Sequence, residues 1–221
     1  MYLIKTPALM RTLAPGMLWR VETNEREIYL TFDDGPVPEV TPWVLDILAQ
    51  YNAKATFFCV GDNARKYPEI YRRILREGHQ VGNHTFNHLK GCHTDLQSYL
   101  NNVKRCAEWV QSDFFRPPYG LLSTRQKRAL QRDYQIVMWD VLSGDFDPKL
   151  SPRQCLRNVL DHAAPGSIVV FHDNVKALPR LRYALPETLS RLSAYGYAFK
   201  SLPPREQHTA ALSPTHVSLP Y

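Results

Sequence analysis

Cysteine is present but never paired along the chain. The four thiols, Cys59, Cys92, Cys106 and Cys155, form no Cys-x-x-Cys and none of the spacing of a zinc ribbon or dense disulfide framework, which excludes small cross-linked and structural-zinc folds. Long apolar runs are missing too. Lys5, Pro7 and Arg11 interrupt the first residues before a signal-peptide or membrane-spanning length is reached. The expectation is no integral membrane segment and a cytoplasmic protein, or an extracytoplasmic one if an export signal lies outside the sequence. A dense basic tract is also absent: formal charge is +6, yet the cations are spread over stretches such as Arg72-Arg73, Lys127-Arg128 and Arg180 with Arg182. Solvated helix faces with weak steering of an anionic polymer fit this spread, and nucleic-acid binding does not. No internal repeat is found.

What is there is the composition of one soluble domain with a sizeable core: 221 residues, 44% hydrophobic and 22% charged. Its organising stretch is Thr31-Phe32-Asp33-Asp34-Gly35-Pro36, where an apolar, β-branched strand over 28–32 runs into two adjacent carboxylates and a turn. Desolvating carboxylates at a buried strand end is costly unless they are paired, metal-bound or functional. Capping of a helix opening near Thr41-Pro42 accounts for one of them and leaves the other unexplained.

Periodicity and punctuation predict further strands over 55–60, 80–83, 114–115, 135–140, 167–171 and 197–201. Helices are predicted over 41–50, 68–76, 95–110, 123–132, 152–163 and 178–195. Gly61-Asp62-Asn63 reads as a turn, and Arg116-Pro117-Pro118-Tyr119-Gly120 as a rigid loop. Residues 203–221, rich in Pro, Ser and Thr without periodicity, are expected to form a flexible tail in which His208 and His216 are bystanders. Seven strands alternating with helices indicate a single-domain parallel α/β architecture. Barrel-like closure explains why the unusual polar residues (Asp33, Asp34, His84, His88, Arg116, Asp145, His172) all follow strands: in a closed parallel barrel those ends converge on one face, whereas an open sheet spreads them along an edge.

Within that set, His84 and His88 are four residues apart, which on one helical turn directs both rings the same way and lets them share a metal with a carboxylate. His93 competes with His88 but is off that register, and Asn83-His84-Thr85 matches a glycosylation sequon lying inside the proposed site. His172 ends an apolar strand, and Asp145 could orient it and tune its pKa as an acid near neutrality. Arg116, wedged between aromatics and prolines, is held rigidly enough to orient a carboxylate bidentately. Cys59, inside an apolar run, reads as a small core residue.

In that order the motifs Thr31 to Pro36, His84 to His88, Arg116-Pro117-Pro118-Tyr119, Trp139 to Phe146 and Ile168 to Asp173 resemble the five motifs of the polysaccharide deacetylases of carbohydrate esterase family 4, over residues 28–202. The resemblance implies an irregular (β/α)7 barrel as the catalytic domain at 28–202, preceded by an N-terminal segment at 1–27. It implies metal-dependent removal of acetyl groups from an N-acetylated glycan carrying N-acetylglucosamine-type units. The metal, most simply Zn2+ with Co2+ or Ni2+ as substitutes, would be held by Asp34, His84 and His88. Asp33 would be the base held by Arg116, the Tyr119 backbone N–H an oxyanion donor, and His172, oriented by Asp145, the acid for the leaving amine. Pro118, Phe146 and Val170 would bind substrate, with Phe146 and Val170 lining the acetyl pocket. Two departures stand out: Phe146 where the family commonly has Trp, and Val170 where Leu is frequent. Alternatives are a related hydrolase of O-acetyl esters or small cyclic amides, and a non-catalytic carbohydrate-binding protein on the same scaffold.

Overall fold

The computed structural model describes residues 2–204; the expected tail from 205 onward, with His208 and His216, lies outside the described residues. In chain order the elements are α1 (Ala8–Leu13), β1 (Met17–Leu18), β2 (Glu27–Asp33), α2 (Val40–Gln50), β3 (Thr56–Cys59), α3 (Gly61–Lys66), α4 (Pro68–Arg76), β4 (Gln80–Asn83) and α5 (Leu96–Ala107). They continue with β5 (Phe114–Phe115), α6 (Thr124–Leu130), β6 (Gln135–Val137), β7 (Val141–Leu142), α7 (Pro152–Leu160), β8 (Ile168–His172), α8 (Leu178–Ala194) and β9 (Ala198–Lys200).

The strands run in the order β1-β6-β5-β4-β3-β2-β8-β7, all neighbours parallel, with β9 pairing the start of β2. The two ends of that order are joined by one stretch of chain. Met138 N–H still donates to Leu18 on β1 (2.7 Å), whereas Asp140 N–H donates to Ile168 on β8 (3.0 Å). The single strand expected over 135–140 therefore stops at Val137, and a separate strand, β7, starts at Val141, because the chain changes neighbours at Trp139. That change of neighbours links the curled sheet into an irregular α/β barrel.

Period-2 alternation in β2 and β8 assigns the two faces. Ile28, Leu30 and Phe32 with Val169 and Phe171 point outward into the large core shared with the helices. Tyr29 and Ile168 point inward, where Phe58, Phe114, Val137 and Leu202 join them to fill the barrel. Gly82 makes this packing possible: a Cβ there would sit 2.4 Å from the Phe58 ring. The helices are sealed by local chemistry. Asp95 caps α5, and Ser123 with Gln126 and Ser151 with Gln154 form capping boxes on α6 and α7, each cap worth about 1 kcal/mol.

One expectation of local structure is corrected, and the capping alternative for the two aspartates falls. Gly61-Asp62-Asn63 is the first turn of α3, a short helix whose apolar stripe is too small to read from periodicity. Its charge order carries it, with Asp62 in the first turn pairing to Lys66 (2.6 Å) and Arg65 (2.8 Å) in the last. Neither Asp33 nor Asp34 caps α2: the residue at that cap is Glu39, which makes no side-chain cap hydrogen bond. The four cysteines are free thiols, three of them buried, including Cys59. No helix among the described residues is long and apolar enough to cross a membrane.

Candidate active site

Above the apolar plug, the inward positions of the same strands turn polar. β2 and β8 are in parallel register, with Thr31 beside Val170 and Asp33 beside His172, so the carboxylate and the imidazole occupy neighbouring places on the inner face. Between plug and polar layer lies Arg116, fully buried, with its guanidinium 4.1 Å above the Phe58 ring. Nη1 donates to Asp33 Oδ1 (2.7 Å) and Thr31 Oγ1 (2.7 Å), Nη2 to the Met138 carbonyl (2.8 Å) and Nε to the Val137 carbonyl (3.3 Å). The grip on Asp33 is thus one hydrogen bond rather than the bidentate fork expected, because the rest of the guanidinium is committed to the barrel wall. Burial pushes the Arg116 pKa down from its ordinary value, against the field of Asp33.

Asp34 leaves the strand with φ of +85°. Its Oδ2 accepts from Asn174 Nδ2 (2.6 Å). Its Oδ1 lies 3.1 Å from His88 Nε2 and 3.6 Å from His84 Nε2 without hydrogen-bond alignment, which leaves a buried acceptor with no donor. Burial alone would raise this carboxyl; the rings of His88, His172 and His84 more than reverse that and hold it well below the usual carboxylate range. His84 Nδ1 is engaged by the Arg116 carbonyl (2.7 Å), leaving Nε2 on the Asp34 side, and burial lowers its pKa to about 4, so the ring is neutral. Asp34, His84 and His88 can each offer one ligand atom, all within 4.8 Å of one another. An orphaned carboxylate oxygen facing two imidazole nitrogens is the donor set of a three-ligand metal centre.

The two histidines meet without the helical turn their spacing suggested. Residues 84–88 form a loop in which Thr85 and His88 take positive φ (63° and 58°). Asn83 accepts from the Thr85 N–H, Thr85 Oγ1 from the Leu89 N–H, and Asn102 from the Phe86 N–H. Tyr119, beside His88 with ring centroids 4.8 Å apart, is also left-handed at φ 60°. Non-glycine residues in this region cost roughly 1–2 kcal/mol each, and their concentration around one cavity marks a place where geometry outranks comfort. His93 is outside the metal trio, and Asn83 is fully buried with its amide on the Val103 carbonyl, so the sequon is closed to glycosylation.

Across the cavity, Asp145 Oδ1 meets His172 Nδ1 at 2.8 Å while its Oδ2 accepts the His172 backbone N–H at 2.8 Å. Burial disfavours the charged imidazolium, but the Asp145 carboxylate outweighs it, with Asp34 and Asp33 adding, and His172 is pushed up to about 9. Phe146 sets its ring edge-on to His172 (5.1 Å). The cavity is about 830 Å³; Asp33, Asp34, His84, His88, Tyr119, Phe146, Val170 and His172 line it. Pro118 does not: Pro117, equally buried, faces the cavity in its place. Tyr2, Trp139, Leu142 and Asn174 also line it, of which Trp139 and Leu142 lie in a stretch the sequence had singled out and Tyr2 and Asn174 do not. Asp173, noted only as the residue after His172, turns out to brace the carboxylate turn. It accepts from the Gly35 N–H (3.0 Å) and Thr41 Oγ1 (2.6 Å). A Cβ on Gly35 would lie 2.0 Å from the Asp173 carboxylate, which is why glycine follows the two aspartates. Burial pushes Asp173 up to about 8.

Against known proteins, the polysaccharide deacetylase family profile matches residues 20–139, more than half of the chain. The chain belongs to the polysaccharide deacetylase family. Within it, a peptidoglycan-N-acetylglucosamine deacetylase of Bacillus cereus is 37% identical over 191 residues, covering 82% of this chain and 88% of the relative. A chitooligosaccharide deacetylase of Azorhizobium caulinodans is 34% identical over 212 residues, covering 85% and 98%. The crystal structure of the Bc1960 peptidoglycan N-acetylglucosamine deacetylase superposes with a TM-score of 0.78 at 35% identity, covering 85% of this chain and 91% of that one. The deacetylase fold and the barrel read from the sequence are therefore those of the family.

Proposed function

We propose that this polysaccharide deacetylase hydrolyses the acetamide of an N-acetylglucosamine-type unit in a glycan, with a divalent metal held by Asp34, His84 and His88. The observation that carries the reading is the register of Asp33 against His172 at the rim of one cavity, a base and an acid on adjacent strands with the orphaned Asp34 oxygen beside them. The names of the B. cereus and A. caulinodans relatives support the substrate class.

An amide is a poor acyl donor because its amine leaves badly unless protonated, so hydrolysis needs a base on the attacking side and a separate acid at the nitrogen. Asp33 suits the role of base. Its Oδ1 is held by Arg116 and the carboxylate faces the cavity, so Oδ2 can take a proton from an attacking water. His172 suits the role of acid. With Nδ1 fixed by Asp145 and a pKa near 9, it carries a proton at neutral pH that Nε2 can deliver. A divalent ion in the Asp34, His84 and His88 set, zinc by its imidazole-rich donors, would polarise the acyl oxygen and lower the pKa of water toward about 7. The Tyr119 backbone N–H, in a left-handed turn beside His88, would serve as the donor to a developing oxyanion, a contact of the type worth roughly 3 kcal/mol. Phe146 and Val170, with Leu142, form the apolar wall against which an acetyl methyl would rest.

The test is acetate release from chito-oligosaccharides and peptidoglycan fragments with zinc or cobalt supplied. Release well above that of Asp33→Asn is expected. Release no greater than that of the variant on every acetylated glycan overturns the reading, and turnover of O-acetyl esters without amides would move the chain to the esterase alternative.

A further inference from the structure

One residue before the family match, Tyr2, lines the cavity. Residues 2–6 lie antiparallel along β7: Lys5 bridges Val141, the Leu142 N–H donates to the Ile4 carbonyl (2.8 Å) and the Thr6 N–H to the Asp140 carbonyl (2.9 Å). Thr6 Oγ1 adds a hydrogen bond to the Trp139 carbonyl (2.8 Å), and Lys5 Nζ an ion pair to the buried Asp140 (2.7 Å). This bridged stretch carries Tyr2 to the cavity. Its ring packs on Phe146 (centroids 4.9 Å, planes 59° apart), and its hydroxyl donates to Asp147 Oδ2 (2.8 Å). Burial and that hydrogen bond raise the phenol pKa, so the hydroxyl stays protonated and the anchor holds. Phe146 in turn stands against His172.

The ring is thereby fixed at two points while 37% of the residue remains exposed, and it lines the cavity. An immobilised aromatic surface at the edge of a cleft binds the C–H face of a pyranose with little further loss of side-chain entropy. We propose that Tyr2 is the stacking platform for a sugar unit adjoining the one that reacts, on the His172 side of the cavity, so that this enzyme prefers oligosaccharides over single N-acetylated sugars. The proposal rests on the deacetylase reading above and adds a position of substrate recognition supplied by the N-terminal segment.

Tyr2→Ala and Tyr2→Phe would be compared with the wild-type chain on N-acetylglucosamine and its β-1,4-linked tetramer. Initial rates would be measured with zinc, and calorimetric titrations made in an Asp33→Asn background. With Tyr2→Ala, KM and Kd for the tetramer should rise about fivefold or more, in line with the value of an aromatic contact. The kcat should stay within about twofold and the monosaccharide constants should not change; Tyr2→Phe, which keeps the ring, should stay within about twofold throughout. An equal change on monomer and tetramer, or none on the tetramer, overturns the platform while leaving the deacetylase reading standing. A wild-type chain that neither binds the tetramer nor releases acetate from it overturns both.

Discussion

Two buried aspartates, Asp33 and Asp140, meet cations in this molecule, and they do different work. Asp33 is held by a single arginine that is itself fully buried and pinned to the barrel wall, and one of its oxygens is left toward a cavity. Asp140 gathers Lys5 (2.7 Å), Arg20 (3.2 Å) and the Ser167 hydroxyl (2.6 Å) onto one oxygen, its cations are partly solvated, and it does not line that cavity. Lys5 and Arg20 come from the N-terminal segment, so this cluster is a latch that ties residues 2–20 to the barrel. A buried carboxylate with a counter-ion is therefore not by itself a sign of chemistry. What separates the two is whether the cation is rigid and whether an oxygen remains for something outside the protein.

The sharpest way to break that comparison is to neutralise each acid in turn. Asp33→Asn should lower acetate release about 10³-fold, within the range for loss of a general base, while Asp140→Asn should leave turnover of the smallest substrate within about threefold; comparable losses in the two variants would erase the distinction. Stability should sort the other way around the cations. Arg116→Met leaves Asp33 buried without its donor and should cost about 3–5 kcal/mol in denaturant unfolding. Asp140→Asn, whose partners can turn to water, should cost about 2 kcal/mol.

Asp145→Asn tests the acid side through pH. His172 is pushed up to about 9 chiefly because Asp145 overrides burial, so its proton, and the turnover that uses it, should persist through neutrality and be lost as pH rises through about 9. The stability linked to this raised pKa is fully present below the unfolded value, about 6.5, and is lost over the same rise. With Asp145 neutral, burial is opposed only by Asp34 and Asp33, and the descending limb of the pH–rate profile and the His172 titration followed by NMR should both move down from about 9; an unmoved titration would show that Asp145 does not set it. The smallest effect belongs to Thr31→Val, which removes the hydroxyl that accepts from Arg116 and donates to the Val169 carbonyl. About 1 kcal/mol of stability should go, with turnover lowered less than about fivefold; a larger loss of turnover would mean that Arg116 depends on Thr31 to hold Asp33.

Much of this was legible in the residues. The strand over 28–32 ending in two carboxylates, the His84 and His88 pair, Arg116 and the His172 with Asp145 were all found by asking which polar groups follow apolar strands, and the structure gathers them in and around one cavity. What misled was local geometry inferred from spacing. An i, i+4 pair suggested a helical turn, whereas strand β4 and the side chains of Asn83, Thr85 and Asn102 hold a left-handed loop instead. Proline marked the Arg116 stretch as a loop, but residues 118–120 close a short 3-10 turn, and Pro117 rather than Pro118 faces the cavity. Asn174 and Tyr2 carried no signal and Asp173 was marked only as the end of a motif, since each acts through a partner far away in the chain: Asp34, Asp147 and Gly35 in turn.

Alternating strands and helices, short apolar runs and carboxylates at a strand end were enough to determine a parallel α/β barrel and the chemical identity of its rim, because these follow from periodicity and the cost of desolvating charge. Only the tertiary structure decided how the rim is braced and who else stands at it. Asp173 against Gly35, Asn174 on Asp34, the change of strand neighbours at Trp139 and the latch that brings Tyr2 to the cavity are long-range contacts. Their energies depend on distance in space, and no spacing along the chain encodes that distance.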